Sequence, residues 1–202
     1  MKIVVAFSAG TDSVAALIDS VNKYGKENVV AYMIVLSLQN EKTIMWQEAQ
    51  MFYGKKICEE LGVKLIIDRR AIVSGGHRVE PDIYEWCHSL IMFCLGNKEI
   101  TKAVYGHSAD DRTHRHVLLW WEIFDMCMKA QNRAVTLEHP LSNISKQDCY
   151  SMIPANIQEY IWTCVKPKGV VRGKHGLKRY VACSECGKCK EFQQKVMKDN
   201  YV

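Results

Sequence analysis

Five short apolar runs punctuate the first 141 residues, and a stretch with helical periodicity separates each from the next. The runs are Lys2–Phe7, Asn28–Leu36, Val63–Asp68, Thr101–Gly106 and a shorter one in "RAVTLEHPL" from Arg133. Between the first two, Val14, Leu17, Ile18, Val21 and Tyr24 recur at helical spacing up to Gly25; Met45, Ala49, Phe52, Ile57 and Leu61 do the same up to Gly62. "IYEWCHSLIMFCLG" and the pattern from Val117 to Met128 supply two more helices. Strands that alternate with helices and are apolar on both faces specify a parallel sheet covered on both sides. The expected fold is therefore α/β and Rossmann-like. Beyond Ser142 the pattern changes to a helix, a basic glycine-containing stretch and a cysteine cluster. We expect residues 1–141 to form the α/β domain, and 142–202 a C-terminal helix and cysteine region packed on it.

An apolar fraction of 48% and a charged fraction of 24% are those of a soluble globular protein. No apolar run approaches a membrane span, and polar residues from Ser8 onward interrupt the N-terminal run too early for a secretory signal. The nine cysteines are odd in number, which argues against a complete disulfide framework. A cytoplasmic protein is expected. The net charge of +5 is compatible with an anionic substrate such as a nucleotide.

Ligands of open parallel sheets sit at the carboxyl ends of the strands. Two loops at such ends carry chemistry: "SAGTDS" after the first strand and "GHSADD" after the fourth. A tight strand-to-helix turn gathers unpaired backbone N–H groups and the positive end of a helix dipole at one spot. Ser8, Thr11 and Ser13 add hydroxyls, Gly10 allows close approach, and Asp12 can cap the helix or coordinate a phosphate-bound cation. In the second loop Asp110 and Asp111 suit Mg²⁺ near phosphates, while Asp111 could equally cap the next helix.

Cys183, Cys186 and Cys189 form a Cys-x-x-Cys-x-x-Cys run, and Cys164 supplies a fourth thiol upstream. Such a set closes a tetrahedral zinc site, with Gly187 helping the knuckle to bend. An iron–sulfur cluster is the competing occupant, and the missing C-x₃-C-P ending favours zinc in a structural role. Cys58, Cys87, Cys94, Cys127 and Cys149 fall in helical apolar patterns and read as core.

"SAGTDS" after an N-terminal strand resembles the SGGxDS loop of the PP-loop ATP pyrophosphatases, whose fold is of the adenine-nucleotide α-hydrolase kind. The resemblance implies cleavage of ATP between its α- and β-phosphates, adenylation of a substrate oxygen, and nucleotide binding by Ser8, Ala9, Gly10, Thr11, Asp12 and Ser13. Ala9 stands where the family has glycine, which would cost about 1 kcal/mol if that position needs a positive φ. "GHSADD" is similar to the Gly-His-x-x-Asp-Asp segment of PP-loop tRNA-modifying enzymes, and to a Gly-x-x-x-x-Asp segment that Gly106 and Asp111 would match. Either version places Gly106 and His107 beside the nucleotide. The cysteine pattern, together with "HPLSNISKQD" and its Lys146, resembles the 7-cyano-7-deazaguanine synthases.

These enzymes convert 7-carboxy-7-deazaguanine and ammonia to the nitrile, with queuosine-type products downstream. What this implies here is an ATP-dependent C–N ligase using ATP, Mg²⁺ and Zn²⁺, with Asp12, Lys146 and Asp111 as catalytic residues, working as a homodimer. Three alternatives accompany it: an enzyme that stops at the amide, a PP-loop tRNA-modifying enzyme, or a non-catalytic ATP-binding homologue. The spacer at 166–179 is longer than in the family and strongly basic. It reads as a solvated loop of the zinc region or as a nucleic-acid contact.

Overall fold

In the computed structural model, which describes residues 1–37, 41–71, 81–111, 114–172 and 178–197, the five runs form one parallel sheet. Its strands are β1 (Lys2–Ala6), β2 (Val29–Ser37), β3 (Lys64–Ala71), β4 (Ile100–Tyr105) and β5 (Thr136–Glu138), in the order β3-β2-β1-β4-β5. The connecting helices are α1 (Thr11–Tyr24), α2 (Glu41–Leu61), α3 (Pro81–Gly96) and α4 (His114–Ala130). Gly25 and Gly62 close α1 and α2 with φ of 81° and 65°, positive values that glycine takes without penalty.

Strand order explains where a ligand belongs. The chain steps outward from β1 to β2 and β3, then crosses back to lay β4 on the other side of β1. The point where the order reverses opens a crevice between the loops that follow β1 and β4. Those are the two loops singled out from the sequence. Val4 and Val5 are both fully buried because the two faces of β1 are covered by different layers. Val5, Ala31 and Met33 pack on the α1–α2 side, whereas Val4, Tyr32 and Ile34 pack with Leu90, Ile91 and Phe124 of α3 and α4.

The C-terminal region contains α5 (Lys146–Ser151), α6 (Ala155–Gln158), β6 (Gly169–Arg172), β7 (Lys178–Val181) and α7 (Gly187–Lys195). Its Cys149, Ile157, Trp162, Cys164 and Tyr180 join the α1–α2 core without a break. The basic spacer is not an open loop: β6 and β7 pair antiparallel. Tyr180 fixes this ribbon to α2, its backbone N–H donating to the Tyr53 hydroxyl at 3.2 Å and its own hydroxyl to Glu48 at 3.2 Å. The basic composition concealed a pair of short β-branched and aromatic segments. Residues 173–177, with Lys174, and the loop from Ser74 lie outside the described residues.

Arg133 sets the turn between α3 and β4. One guanidinium nitrogen donates to the carbonyls of Cys94, Asn97 and Ile100 at 2.9, 2.7 and 3.3 Å. Arg133→Met leaves these half-buried acceptors unmet and should lower unfolding stability by about 2 kcal/mol. A urea melt checks this; an unchanged midpoint would contradict the assigned role. No helix among the described residues is long and apolar enough to cross a membrane.

Candidate functional site

The chain turns from β1 into α1 within four residues, and it does so through Ala9 at φ 60°. The alanine therefore carries the strain expected if this position needed a positive φ. Three tethers hold the turn. Ser13 Oγ accepts from the Ser8 N–H at 3.2 Å and donates to the Gly10 carbonyl at 3.0 Å. Gln50 of α2 donates to the Ser8 carbonyl at 3.2 Å, and the Trp162 N–H donates to the Ala9 carbonyl at 2.9 Å. With the loop carbonyls occupied in this way, the first-turn amides of α1 remain without helical acceptors. Gly10 is the N-cap and no side chain caps it. Thr11 Oγ1 and Asp12 Oδ1 are buried with no hydrogen-bond partner among the described residues.

The second loop reaches this helix end because Gly106 has no side chain. A Cβ there would stand 2.5 Å from the Asp12 carbonyl oxygen and 2.7 Å from Ala16 Cβ. Ser108 Oγ donates to Asp12 Oδ2 at 3.4 Å. The Ala109 N–H donates to the Ile144 carbonyl at 2.8 Å, and Asp110 accepts from the Lys146 backbone N–H at 3.0 Å. The loop thereby locates Lys146, the first residue of α5. Asp111 lines the cleft.

Lys146 Nζ lies 3.4 Å from Asp12 Oδ2 and 3.6 Å from Glu191 Oε1 of α7. Lys146, Asp12 and Glu191 are only 8%, 9% and 7% exposed. Burial pushes the Asp12 carboxyl above its ordinary range against the pull of Lys146, and Asp111 adds to the rise. Burial also works against the Lys146 ammonium, yet Asp12, Glu191 and Asp111 hold its pKa above the usual lysine value. A firmly charged cation thus stands beside the unpartnered head of α1.

Together these groups line a cleft of about 520 Å³, within the range of small-molecule sites. Ser8, Gly10, Thr11, Asp12, Ser13, Gly106, Asp111 and Lys146 form one side; Trp46, Trp86, Trp162, Gln50, Tyr105 and the start of α7 form the rest. Ala9 is fully buried and does not line the cleft. His107 is buried, its ring 5.3 Å from that of His139 and 6.4 Å from that of Tyr105. The tryptophans, Gln50 and Glu191 were not signalled by any local motif. Glu191 alone had a clue, standing two residues beyond the last clustered cysteine.

The four sulfur atoms of Cys164, Cys183, Cys186 and Cys189 lie within 4.8 Å of one another, all buried. Cys164 to Cys183 is 3.6 Å and Cys183 to Cys189 is 3.9 Å. Four thiolates placed tetrahedrally around one ion at ~2.3 Å stand ~3.8 Å apart, so the set fits a zinc-binding region. Backbone N–H groups of Cys183 and Cys186 donate to the Cys164 and Cys183 sulfur atoms, both at 3.2 Å. The knuckle bends at Ser184, φ 61°, and not at Gly187, which is the first residue of α7. Burial pushes the thiols of Cys58, Cys94 and Cys149 up to about 12, as befits inert core residues.

No protein-family model and no curated protein matches this sequence. Among solved structures, the U34-tRNA thiolase NcsA from Methanococcus maripaludis with its 4Fe-4S cluster is similar, at TM-score 0.57 and 16% identity. The match covers 99% of this chain and 65% of the thiolase, so this chain spans less than two thirds of that protein's length. A predicted subunit of tRNA methyltransferase from Methanocaldococcus jannaschii gives TM-score 0.44 at 15% identity, over 96% of this chain and 88% of that one. The likeness to the thiolase is one of fold: the α/β architecture expected from the sequence is the one found.

Proposed function

We propose that the chain is a PP-loop ATP-dependent ligase that converts 7-carboxy-7-deazaguanine and ammonia to the 7-cyano product. The observation that carries the nucleotide part is the head of α1. Its unpaired amides and the orphaned Thr11 hydroxyl open onto a cleft whose buried cation is Lys146. The resemblance of the cysteine and Lys146 segments carries the choice of substrate, and a cleft walled by tryptophans suits a flat heteroaromatic ring.

In this reading Ser8, Gly10, Thr11 and Ser13 hold the β- and γ-phosphates. The substrate carboxylate attacks the α-phosphorus and pyrophosphate departs; Lys146 meets the charge that develops on it. Ammonia then displaces AMP to give the amide. In a second round the amide oxygen is adenylated, and loss of AMP and a proton leaves the nitrile. Asp12, with its unpartnered Oδ1, and Asp111 are the residues that would hold Mg²⁺, which neutralises phosphate charge when bound. Zinc on the four cysteines would be structural, because a fully thiolate-bound ion offers substrate no open position. A homodimer and a cytoplasmic location belong to the same reading.

Mass spectrometry of 7-carboxy-7-deazaguanine incubated with protein, ATP, Mg²⁺ and ammonium tests the reaction. Nitrile is expected; amide alone means that the second activation is missing, and unchanged substrate removes this assignment. The basic β6–β7 ribbon, with Arg172 and Arg179 exposed, favours one rival, a tRNA-modifying enzyme. That rival requires tRNA binding that weakens steeply with salt.

A further inference from the structure

Glu191 takes no part in the chemistry above, yet it is buried against Lys146 at 3.6 Å. Its helix, α7, is nine residues long and follows directly on Cys186, its N-cap residue and one of the four clustered thiols. Cys189 lies within the same helix. A helix this short has little stability of its own and depends on what fixes its ends. From that start the helix carries Gly187, Lys188 and Glu191 into the cleft. Lys195 at its far end bridges Glu191 and Asp110, both at 3.2 Å, and so reaches the loop that locates Lys146.

The cysteine centre touches the phosphate loop by a second route. Trp162, two residues before Cys164, donates its backbone N–H to the strained Ala9 carbonyl at 2.9 Å. Stacking of its ring on Tyr53, at 5.2 Å and 16° between planes, keeps that segment in place. One arm of the centre thus ends on the turn itself and the other on its cation.

We propose that Glu191 is a positioning residue for Lys146, and that through it metal bound by the four cysteines raises the affinity of the cleft for nucleotide. The inference rests on the nucleotide reading of the cleft. With metal bound, α7 is held and Glu191 keeps the ammonium between two carboxylates, placed for phosphate. Without metal, three of the four thiols no longer converge, α7 loosens, and Lys146 pairs with Asp12 alone. Linkage is reciprocal, so nucleotide must tighten the metal by the factor that metal tightens nucleotide.

The test titrates a non-hydrolysable ATP analogue into full-length protein loaded with Zn²⁺ and into protein stripped by a chelator. Zinc affinity is then measured by chelator competition with and without the analogue. Stripping should weaken the analogue about tenfold, with the same factor returned on zinc. Glu191→Gln should keep zinc affinity in the absence of analogue and lose most of that factor. Hydrogen exchange adds a readout that needs no nucleotide: stripping should speed exchange at the hydrogen-bonded amides of Val14, Lys146 and Cys149 in the wild type and much less in Glu191→Gln. Equal analogue binding with and without zinc, or full coupling in Glu191→Gln, overturns the proposal. If the analogue binds to neither form, the nucleotide reading falls, and the exchange comparison then decides the coupling: a metal-dependent change supports it and none overturns it.

Discussion

Gly106→Ala should abolish nucleotide-dependent turnover while leaving the sheet folded. The added Cβ would meet the Asp12 carbonyl oxygen at 2.5 Å and Ala16 Cβ at 2.7 Å. Both belong to α1, and neither can rotate aside, so the helix head and the second loop must separate. Overpacking of this kind costs about 1–3 kcal/mol in stability. Its effect on chemistry is larger, because a displacement of ~1 Å at reacting groups costs about 100-fold. Gly54→Ala is the matched control. There the new Cβ meets Met33 Cε at 2.5 Å, the far end of a flexible side chain, and Phe7 at 3.2 Å. Gly54→Ala should lose less stability, because Met33 can give way, and only Gly106→Ala should lose turnover. Equal turnover in both, measured as AMP formed per protein, would show that the approach of the two loops does not matter.

Lys146→Met is expected to have the second large effect, on stability and rate together. It leaves Asp12 and Glu191 buried as carboxylates without their shared cation. Breaking a buried pair in this way costs about 3–5 kcal/mol, and loss of a donor to developing charge costs about 100- to 1000-fold in turnover. The pH dependence carries the diagnostic sign. In the wild type, burial opposes ionisation of Glu191, but Lys146 and Lys188 hold its pKa below the ordinary 4.5. Its contribution is therefore present above that value and lost as pH falls through the lower folded-state value. Asp12, already raised above 3.8, behaves oppositely. Without Lys146 the Asp12 carboxyl is pushed up further, while Glu191 keeps Lys188 and Lys195 at 3.5 and 3.2 Å, and protonation of Asp12 then favours the folded form. The variant should regain stability on acidification from about pH 7 to about pH 5, where the wild type gains little. Urea midpoints across that range measure it; parallel curves would mean that Lys146 does not neutralise Asp12.

The sheet was legible because its residues obey simple periodicities. Val4 and Val5 had to be buried on opposite faces, and Gly25 and Gly62 had to end helices. The two loops at the strand ends were equally legible one at a time. Their meeting was not, since it depends on β4 returning to the far side of β1. Ala9 shows how far a local argument reaches: the positive φ was anticipated from a substituted glycine, whereas its tether to Trp162 spans most of the chain. Glu191 and the tryptophans of the cleft were missed because the residues they face are distant in sequence. The ribbon at β6 and β7 was obscured by its lysines and arginines, which say that a segment is solvated but not whether it is paired. Asp111 had two sequence readings, helix cap or cleft residue, and its place in the cleft wall is visible only in three dimensions.

The central claim is that the head of α1 grips the terminal phosphates of ATP while a substrate oxygen takes the adenylyl group. Phosphorus NMR of ATP turned over in the presence of 7-carboxy-7-deazaguanine and ammonium tests it most directly. AMP and pyrophosphate should appear together in equal amounts, and neither should form with Gly106→Ala. ADP and inorganic phosphate in their place would contradict the account.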